Sequence, residues 1–305
     1  MIIFDKQKDK VAIVAPSSAF KNDKGSFDLE LSRANLAISI SLFEEQGFSC
    51  VYDEKIFART NLEYFAAPKE ERLRQLKNAL EDEEVKIISM IRGGYGAGEI
   101  VFDCMNIKSS YPKILIGYSD VTALHFLFNQ HYSFPSIHGA VTEKNRDMMG
   151  NIVSILSGEQ SDYILQPQND LAGNKTNIRG AVGGGNLTLI CNMIGTALHP
   201  DFKDKIILLE DVNEKGYCVH RHLLHMHNAG LFEGVKSVIF ADFTESDNLI
   251  DASLKDFIEN YLQVIPVFKT TGIGHAEKNY PIVFGVPSVI SNLILNVQNP
   301  FKMVL

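Results

Sequence analysis

The feature that most restricts the fold of this 305-residue chain is a regular alternation of short apolar strands with amphipathic helices. Strands and helices that alternate in this way form a parallel sheet with helices on both of its faces. The pattern in the first half of the chain therefore predicts an α/β domain built on a flavodoxin-like parallel sheet. The segments that carry the pattern are, in order, KVAIV, a helix over residues 29–43, FSCVYD, KEERLRQLKNALEDEE, VKIISMI, EIVFDCM and KILI.

A polar stretch over residues 147–178, which includes QPQNDLAGNKTN, interrupts this alternation and predicts a connection between two domains. A second apolar set follows, and it again alternates helices with strands. We therefore predict an N-terminal domain over residues 1–146, a linker over 147–178 and a C-terminal α/β domain over 179–305. The segments of the second domain are NLTLICNMI (helix), KIILLEDV (strand), YCVHRHLLHMHNAGLF (helix), VKSVIFADF (strand) and SLKDFIENYLQV (helix).

Composition and charge exclude several classes of protein. Hydrophobic residues make up 45% of the chain and charged residues 22%, as in globular proteins with a packed core. A net charge of -8 argues against a nucleic-acid partner, because no basic excess is present to displace counterions from phosphates.

Targeting signals and cysteine usage point to one compartment. The N-terminus has no basic segment followed by a long apolar run, and no stretch is apolar enough to span a bilayer. We therefore predict no signal peptide, no transmembrane helix and no membrane partner. The four cysteines form no CxxC pair, which is typical of reduced thiols in a cytoplasmic protein. They are Cys50, Cys104, Cys191 and Cys218.

The segment KILIGYSDVTALHFL places a serine between a buried strand and the start of a helix. Ligands of parallel sheets bind at the carboxyl ends of the strands, so the hydroxyl of Ser119 would project into that crevice. Gly117 suits a tight turn, whereas Val121 replaces the last glycine of the G-x-S-x-G nucleophile elbow. Two interpretations remain: a nucleophilic serine at the positive end of a helix, or a Ser119–Asp120 pair that only caps the helix.

The glycine-rich segment IRGGYGAG follows the neighbouring predicted strand. Its spacing matches neither common phosphate-binding pattern, which disfavours a nucleotide site. The better interpretation is a donor loop, in which the N–H groups of Gly94 and Asp120 hold an oxyanion. Arg92 either pairs with a substrate carboxylate or ties the loop down. Tyr95, in the same loop, is predicted with Arg92 to contact the substrate.

A nucleophilic serine needs a base, and the chain has nine histidines. His275 lies in the glycine-flanked loop TTGIGHAEKNYP, which is a position for reactivity rather than for core packing; His138 is a similar candidate. Glu210 ends the apolar strand IILLE, where a buried carboxylate requires a partner such as an imidazole. Asp211 is the rival carboxylate, and because adjacent strand residues face opposite ways, only one of the two should serve.

The cluster HRHLLHMH brings four histidines together on one predicted helix. A metal site is disfavoured, because no H-E-x-x-H motif is formed and no carboxylate stands at a suitable spacing. We interpret the four as surface residues of the helix, and we predict no metal. They are His220, His222, His225 and His227.

Taken together, these motifs resemble the LD-carboxypeptidase family, which includes murein tetrapeptide carboxypeptidases and microcin-immunity peptidases. The resemblance covers nearly the whole chain, and its motifs occur in the family's order. Those motifs are VAIVAPSS, RLRQLKNALEDEEVKIISMIRGGYGAG, PKILIGYSDVTALH, IHGA, GGGNLTLICNMIGT, IILLEDVNEKGYCVHR and GIGHAEKNYPIVFGV.

The resemblance implies a Ser-Glu-His triad at Ser119, Glu210 and His275, with an oxyanion hole from the N–H groups of Gly94 and Asp120. It also implies a cofactor-free enzyme, often a homodimer, with the serine in one domain and the glutamate and histidine in the other. Such enzymes cut an amide bond between an L-centre and a D-amino acid. The expected function is therefore a serine carboxypeptidase that releases the terminal D-alanine of murein tetrapeptides during cell-wall recycling.

Two positions depart from the family's pattern. Ala140 stands in HGA where a proline is usual, and His220 stands before Arg221 where an aspartate is usual. Neither is a residue of the implied triad, so the departures bear on the substrate pocket more than on the chemistry.

Three alternatives stay open at this stage. A microcin-immunity-type peptidase would cleave a toxic peptidyl or aminoacyl nucleotide. It needs a surface on which a nucleobase stacks, and the chain has no tryptophan, although tyrosine and phenylalanine remain. The second alternative is a muropeptide-binding protein without catalytic activity. The third is a nucleotide-dependent enzyme that uses the glycine-rich loop to bind phosphate.

Overall fold

A computed structural model describes residues 1–109, 111–174 and 177–304 of the chain. Its strands are β1 (Ile2–Asp5), β2 (Lys10–Val14), β3 (Ser49–Tyr52), β4 (Val85–Met90), β5 (Ile114–Gly117), β6 (Ser136–His138), β7 (Ser161–Ile164), β8 (Gln166–Pro167), β9 (Ile178–Asn186), β10 (Lys205–Val212), β11 (Ser237–Thr244), β12 (Val267–Lys269), β13 (Ile282–Phe284), β14 (Pro287–Ser291), β15 (Ile294–Val297) and β16 (Phe301–Val304). Its α-helices are α1 (Leu29–Glu44), α2 (Lys69–Glu81), α3 (Ala97–Cys104), α4 (Thr122–Phe126), α5 (Met149–Leu156), α6 (Asp170–Asn174), α7 (Leu187–Met193), α8 (Gly216–Asn228) and α9 (Ile250–Tyr261). Single turns of other helical types cover Ser119–Val121, Leu127–His131 and Glu143–Met148.

The chain divides into two compact units. The first comprises Met1–Glu159 together with Pro300–Leu305, and the second comprises Gln160–Asn299. The stretch 147–178, for which the sequence predicts a linker, holds α5, β7, β8 and α6, and its residues 175 and 176 lie outside the described residues.

The first unit confirms the predicted parallel sheet. Its strands lie in the order β6-β5-β4-β2-β3, and every pairing among them is parallel. Counted along the chain, this is the order 2-1-3-4-5 that defines the flavodoxin-like arrangement. All four residues of β5 are buried, as are the last four of β4, because the central strands of such a sheet are covered on both faces.

The parallel arrangement decides which loops of the first unit meet. Val14 at the end of β2 pairs with Met90 at the end of β4, and Ser89 pairs with Ile116 of β5. The loops that follow β2, β4 and β5 therefore leave the sheet at the same edge. These loops carry the PSS motif, the glycine-rich segment and Ser119.

The second unit has a mixed sheet in the order β7-β15-β14-β9-β10-β11-β12-β8. Strands β9 to β12 are parallel, and the outer strands pair antiparallel. The three glycines that precede the predicted helix belong to β9. At Gly184 an added Cβ would lie 1.9 Å from the carbonyl oxygen of Leu208, so only glycine lets β9 approach β10 this closely. The hairpin β14–β15 is an element that the sequence analysis does not predict.

The described residues bear on two predictions, the absence of a membrane-spanning helix and the presence of free cysteine thiols. None of the helices described is both long and apolar enough to cross a membrane. All four cysteines are free thiols, and burial raises the pKa of three of them to about 12. Thiols with so high a pKa are poor nucleophiles at neutral pH. The three are Cys50, Cys104 and Cys191.

Candidate active site

Ser119 lies on a strained turn directly after β5. Its φ is +62°, in the left-handed region that non-glycine residues rarely adopt, and such strain is often found at functional sites. Two residues earlier, a Cβ at Gly117 would lie 2.6 Å from Cγ1 of Val121. The valine thus occupies the space beside Gly117, which explains why the turn requires glycine at the first position of the elbow pattern and tolerates valine at the last.

The glycine-rich loop lies against the serine. A Cβ at Gly93 would come within 2.7 Å of the Ser119 Cβ, so no larger residue fits between the loop and the turn. Gly94 has a φ of +110°, and a Cβ there would meet the Ser18 hydroxyl oxygen at 2.4 Å. Gly93 and Gly94 therefore have to be glycine, because Ser119 and Ser18 leave no room for a side chain at these positions. The first unit thus brings Ser119 close to the loop that is predicted to supply an oxyanion donor.

The carboxylate of Asp120 does not face solvent. The residue is 1% exposed, and its Oδ2 accepts hydrogen bonds from the Ser17 hydroxyl at 2.6 Å and the Ala97 N–H at 2.7 Å. Burial raises the pKa of Asp120 above its ordinary value, and these bonds and the charge of Arg72 act in the opposite direction. The side chain thus links three loops, a role that the sequence analysis does not predict.

A buried histidine on helix α4 supports the serine turn. The Gly117 carbonyl oxygen contacts Nε2 of His125 at 3.0 Å and also accepts the Gly139 N–H at 3.0 Å. A carbonyl only accepts, so Nε2 carries the proton and Nδ1 accepts from the Ser136 hydroxyl at 2.8 Å. Burial lowers the pKa of His125 to about 3, which keeps the ring neutral. The sequence signal that points to His125 is its place in the helix that follows the serine.

The alternative base, His138, lies at the end of β6 and is completely buried. Its ring lies 5.8 Å from that of His125, centroid to centroid. This environment is typical of a core histidine.

Arg92 and Tyr95 occupy different environments around the glycine loop. Arg92 donates from Nη1 to the Ala19 carbonyl oxygen at 2.8 Å, and its guanidinium lies 4.7 Å from the centroid of the Phe20 ring. Burial lowers the pKa of Arg92. Tyr95 is 57% exposed, and its ring stacks on that of Phe65. Arg92 thus joins the glycine loop to the segment after β2 through one hydrogen bond, whereas Tyr95 presents an aromatic face to solvent.

The second unit brings Glu210 and His275 together. Glu210 lies in the buried part of β10, which ends one residue later at Asp211, and is inaccessible to solvent. Its Oε2 lies 2.7 Å from Nδ1 of His275. Because a carboxylate accepts, Nδ1 carries the proton and Nε2 is left as the basic nitrogen of a neutral ring. The imidazole side chain is 14% exposed. At Gly274 a Cβ would lie 2.7 Å from the same Oε2, so the loop can approach Glu210 only with glycine next to His275.

Charge determines the protonation of His275. Burial lowers its pKa, but the hydrogen bond and negative charge of Glu210, with smaller contributions from Asp211 and Glu245, outweigh burial. The pKa of His275 is therefore raised above its ordinary value.

Two further side chains brace the loop that carries His275. The Asp242 carboxylate accepts the Gly272 N–H at 2.7 Å, and the Asn279 side-chain oxygen accepts the Gly274 N–H at 3.3 Å. Asp242 is the next-to-last residue of the predicted strand VKSVIFADF, and this position near a strand end is the signal by which sequence reasoning could have found it.

Asp211 points to a different partner from Glu210. It accepts hydrogen bonds from the Asn186 amide at 2.7 Å and from the N–H and hydroxyl of Thr188 at 3.0 and 2.9 Å. Burial raises the pKa of Asp211 to about 6. The rival carboxylate thus holds the start of α7, while Glu210 contacts the imidazole.

The histidine cluster on α8 has ordinary partners. His220 pairs with Asp256 at 3.1 Å, and the His227 ring packs against Tyr261. Across the described ranges, no group of three or more histidine, cysteine or acidic side chains is arranged to hold a metal ion.

Comparison with known proteins adds to this geometry. The sequence profile of the LD-carboxypeptidase N-terminal domain matches residues 11–139, and that of the LD-carboxypeptidase C-terminal domain matches residues 179–290. A putative carboxypeptidase of Rickettsia conorii is 33% identical over 290 residues, which cover 92% of this chain and 87% of the relative. The murein tetrapeptide carboxypeptidase of Pseudomonas aeruginosa is 27% identical over 302 residues and 92% of each chain.

Solved structures share the fold. The muramoyltetrapeptide carboxypeptidase of Oxalobacter formigenes superposes with a TM-score of 0.76 at 24% identity, covering 95% of this chain and 98% of that one. The microcin C7 self immunity protein superposes with a TM-score of 0.78 at 17% identity, covering 97% of each chain. The matched profiles and the Rickettsia relative together show that this chain, a peptidase, belongs to the LD-carboxypeptidase family.

Proposed function

We propose that this protein is a serine carboxypeptidase that hydrolyses the L-D amide bond of murein tetrapeptides and releases the terminal D-alanine. The observation that carries the proposal is the buried hydrogen bond between Glu210 and His275, which leaves one imidazole nitrogen as a base. The strained turn at Ser119 and the names of the murein peptidases among the relatives support the same reaction.

In the proposed mechanism, Nε2 of His275 removes the proton of the Ser119 hydroxyl as its oxygen attacks the scissile carbonyl carbon. Glu210 holds Nδ1–H, which fixes the tautomer, and its charge stabilises the imidazolium that forms. When the tetrahedral intermediate collapses, Nε2 gives this proton to the departing amine of D-alanine. Water, activated by the same nitrogen, then hydrolyses the ester on Ser119.

We assign the oxyanion donors to the N–H groups of Gly94 and Asp120. Two preorganised donors stabilise charge that develops only in the transition state, and loss of one typically costs on the order of 3 kcal/mol. The close approach of the glycine loop to Ser119 supports this assignment.

Arg92 and Tyr95 are the proposed contacts for the substrate. A guanidinium has five N–H donors, and the bond to Ala19 uses one of them, which leaves others for the terminal carboxylate of a peptide. The exposed ring of Tyr95 offers an apolar face to a substrate side chain.

We further propose that the enzyme acts as a cytoplasmic homodimer without a cofactor and without a nucleic-acid partner. Four free thiols are typical of a reducing compartment, and the net charge of -8 disfavours phosphate backbones. Sedimentation of the purified protein tests the dimer directly.

The test of the reaction is mass spectrometry of a muropeptide mixture before and after incubation with the protein. We expect tetrapeptides to lose one D-alanine and longer or shorter stems to remain unchanged. A mixture that is unchanged under conditions where the protein is folded would contradict the proposal. Binding of tetrapeptide without turnover would instead support a muropeptide-binding protein.

A second candidate is a peptidase of the microcin-immunity type, because the fold superposes equally well on the microcin C7 self immunity protein. This chain has no tryptophan for stacking a nucleobase, so we favour the murein substrate. Competition between a tetrapeptide and an aminoacyl-sulfamoyl nucleoside separates the two candidates. Hydrolysis of the aminoacyl-sulfamoyl nucleoside without hydrolysis of the tetrapeptide would reverse the preference.

A further inference from the structure

Three loops of the first unit are joined by side chains rather than by the sheet alone. Ser17 and Ser18 follow β2, the glycine-rich loop follows β4, and Asp120 follows Ser119 after β5. The Ser17 hydroxyl donates to Asp120 Oδ2 at 2.6 Å, and the same oxygen accepts the N–H of Ala97, which begins α3 at the end of the glycine loop. One buried carboxylate oxygen thus connects all three loops.

The second serine binds the glycine loop itself. The Ser18 hydroxyl oxygen accepts the Tyr95 N–H at 2.9 Å, next in sequence to Gly94. Arg72, which is inaccessible to solvent, donates from Nη1 to the carbonyl oxygens of Pro16 and Gly96, both at 2.8 Å. The loop is therefore held on both sides of Gly94 by side chains from other segments.

Burial makes these bonds costly to lose. Ser17 is 0% exposed and Asp120 is 1% exposed, so water cannot replace a missing donor at Oδ2. An under-satisfied buried carboxylate would move toward another donor, and its backbone would move with it. That backbone includes the N–H of Asp120, one of the two proposed oxyanion donors.

We propose that the side chains of Ser17, Ser18 and Asp120 form a loop clamp that positions the N–H groups of Gly94 and Asp120 for the oxyanion. In this proposal, which rests on the proposed function, Ser17 and Ser18 are positioning residues that do not touch the substrate. A displacement of about 1 Å at a preorganised site can cost on the order of 100-fold in rate, so small losses of order in these loops are sufficient.

The test compares Ser17→Ala with Ser39→Ala. Ser39 is a matched control, because it is 2% exposed and its hydroxyl donates to the Val141 carbonyl oxygen within the same unit. We expect Ser17→Ala to lower kcat by about 10- to 100-fold while KM stays within about twofold. Ser39→Ala should lower the melting temperature by a similar amount and leave kcat unchanged. Equal kcat values in the two variants would overturn the clamp.

A second readout separates failure of the clamp from failure of the proposed function. Both variants and the wild type are treated with a fluorophosphonate, whose reaction with a serine also develops negative charge on oxygen. If the wild type does not release D-alanine, the murein proposal fails, and the clamp still predicts slower labelling of Ser17→Ala than of Ser39→Ala. Equal labelling rates, or no labelling of the wild type, would overturn the clamp. Should Ser17→Ala not fold, Ser18→Ala takes its place with the same expected results.

Discussion

The serine turn of the first unit and the Glu210–His275 pair of the second are held in place by different physical means. Ser119 is fixed by steric contacts: its φ is +62°, and Gly93 and Gly117 have no room for a Cβ. His275 is held by charge, through a 2.7 Å hydrogen bond to a carboxylate that is wholly buried. The first region should therefore respond to added volume and the second to pH and to loss of charge.

The largest expected effect is that of Ser119→Ala. Removal of the proposed nucleophile should lower kcat by at least about 10⁴-fold, since the remaining site retains only binding and oxyanion stabilisation. Ser133→Ala is the matched control, because Ser133 also has a positive φ, is exposed and lies in the same unit. Release of D-alanine is measured for both. If Ser119→Ala retained activity comparable to that of Ser133→Ala, the serine turn would have no catalytic role.

Glu210→Gln should give the next largest effect. An amide keeps the shape but loses the charge and can favour the wrong imidazole tautomer, so we expect kcat to fall roughly 10³- to 10⁴-fold. The paired control is Asp256→Asn, which changes the exposed carboxylate beside His220 in the same unit. A decrease of less than tenfold for Glu210→Gln would mean that charge is not what makes the second region effective.

Gly117→Ala tests the steric half of the comparison. Its Cβ would lie 2.6 Å from Val121, and overpacking of this kind typically costs about 1–3 kcal/mol of the free energy of unfolding. Gly150→Ala is the control, because Gly150 lies on helix α5 with no heavy atom within 4 Å of an added Cβ. That change should stabilise the protein by about 0.5–1 kcal/mol. Urea denaturation measures both, and equal stability of the two variants would contradict the steric account.

The smallest effect concerns pH. His275 must be neutral to act as a base, and its raised pKa should place the acid limb of kcat/KM above the ordinary value of 6.5. Stability has the opposite dependence: the pairing of charged His275 with Glu210 contributes fully below the unfolded pKa and is lost as pH rises through the folded pKa. Glu210→Gln should move the acid limb to lower pH, because burial then dominates. An unchanged acid limb in the residual activity of this variant would show that another group controls it.

Much of the fold follows from short segments of the sequence. The strands β2, β4 and β5 and the helices between them were predictable because each strand is a short, mainly apolar run and each helix repeats its apolar residues at helical spacing. Strand β9 was not, since glycine disfavours strands in general and is chosen here only for the approach to Leu208. The β14–β15 hairpin was missed, although its strands are short and adjacent in the chain.

Some residues of the candidate site were likewise predictable from the sequence, and others were not. The positions of Ser119 and Glu210 at strand ends were predictable from local pattern. The alternation of side chains along a strand predicts only that one of Glu210 and Asp211 serves, and the choice of Glu210 rests on the family resemblance. The clamp of Ser17 and Asp120 was not, because these residues are separated by about a hundred positions and meet only once the sheet forms. The role of His125 likewise depends on the Gly117 carbonyl oxygen and on Ser136 across the sheet.

The most direct measurement is the mass of the peptide that carries Ser119, taken after acid quenching of the enzyme during turnover of an LD-tetrapeptide. We expect an ester of the tripeptide acyl group on Ser119, which disappears when the substrate is exhausted. Release of D-alanine with an unmodified Ser119 at every time point, or with the acyl group on another residue, would contradict the central claim.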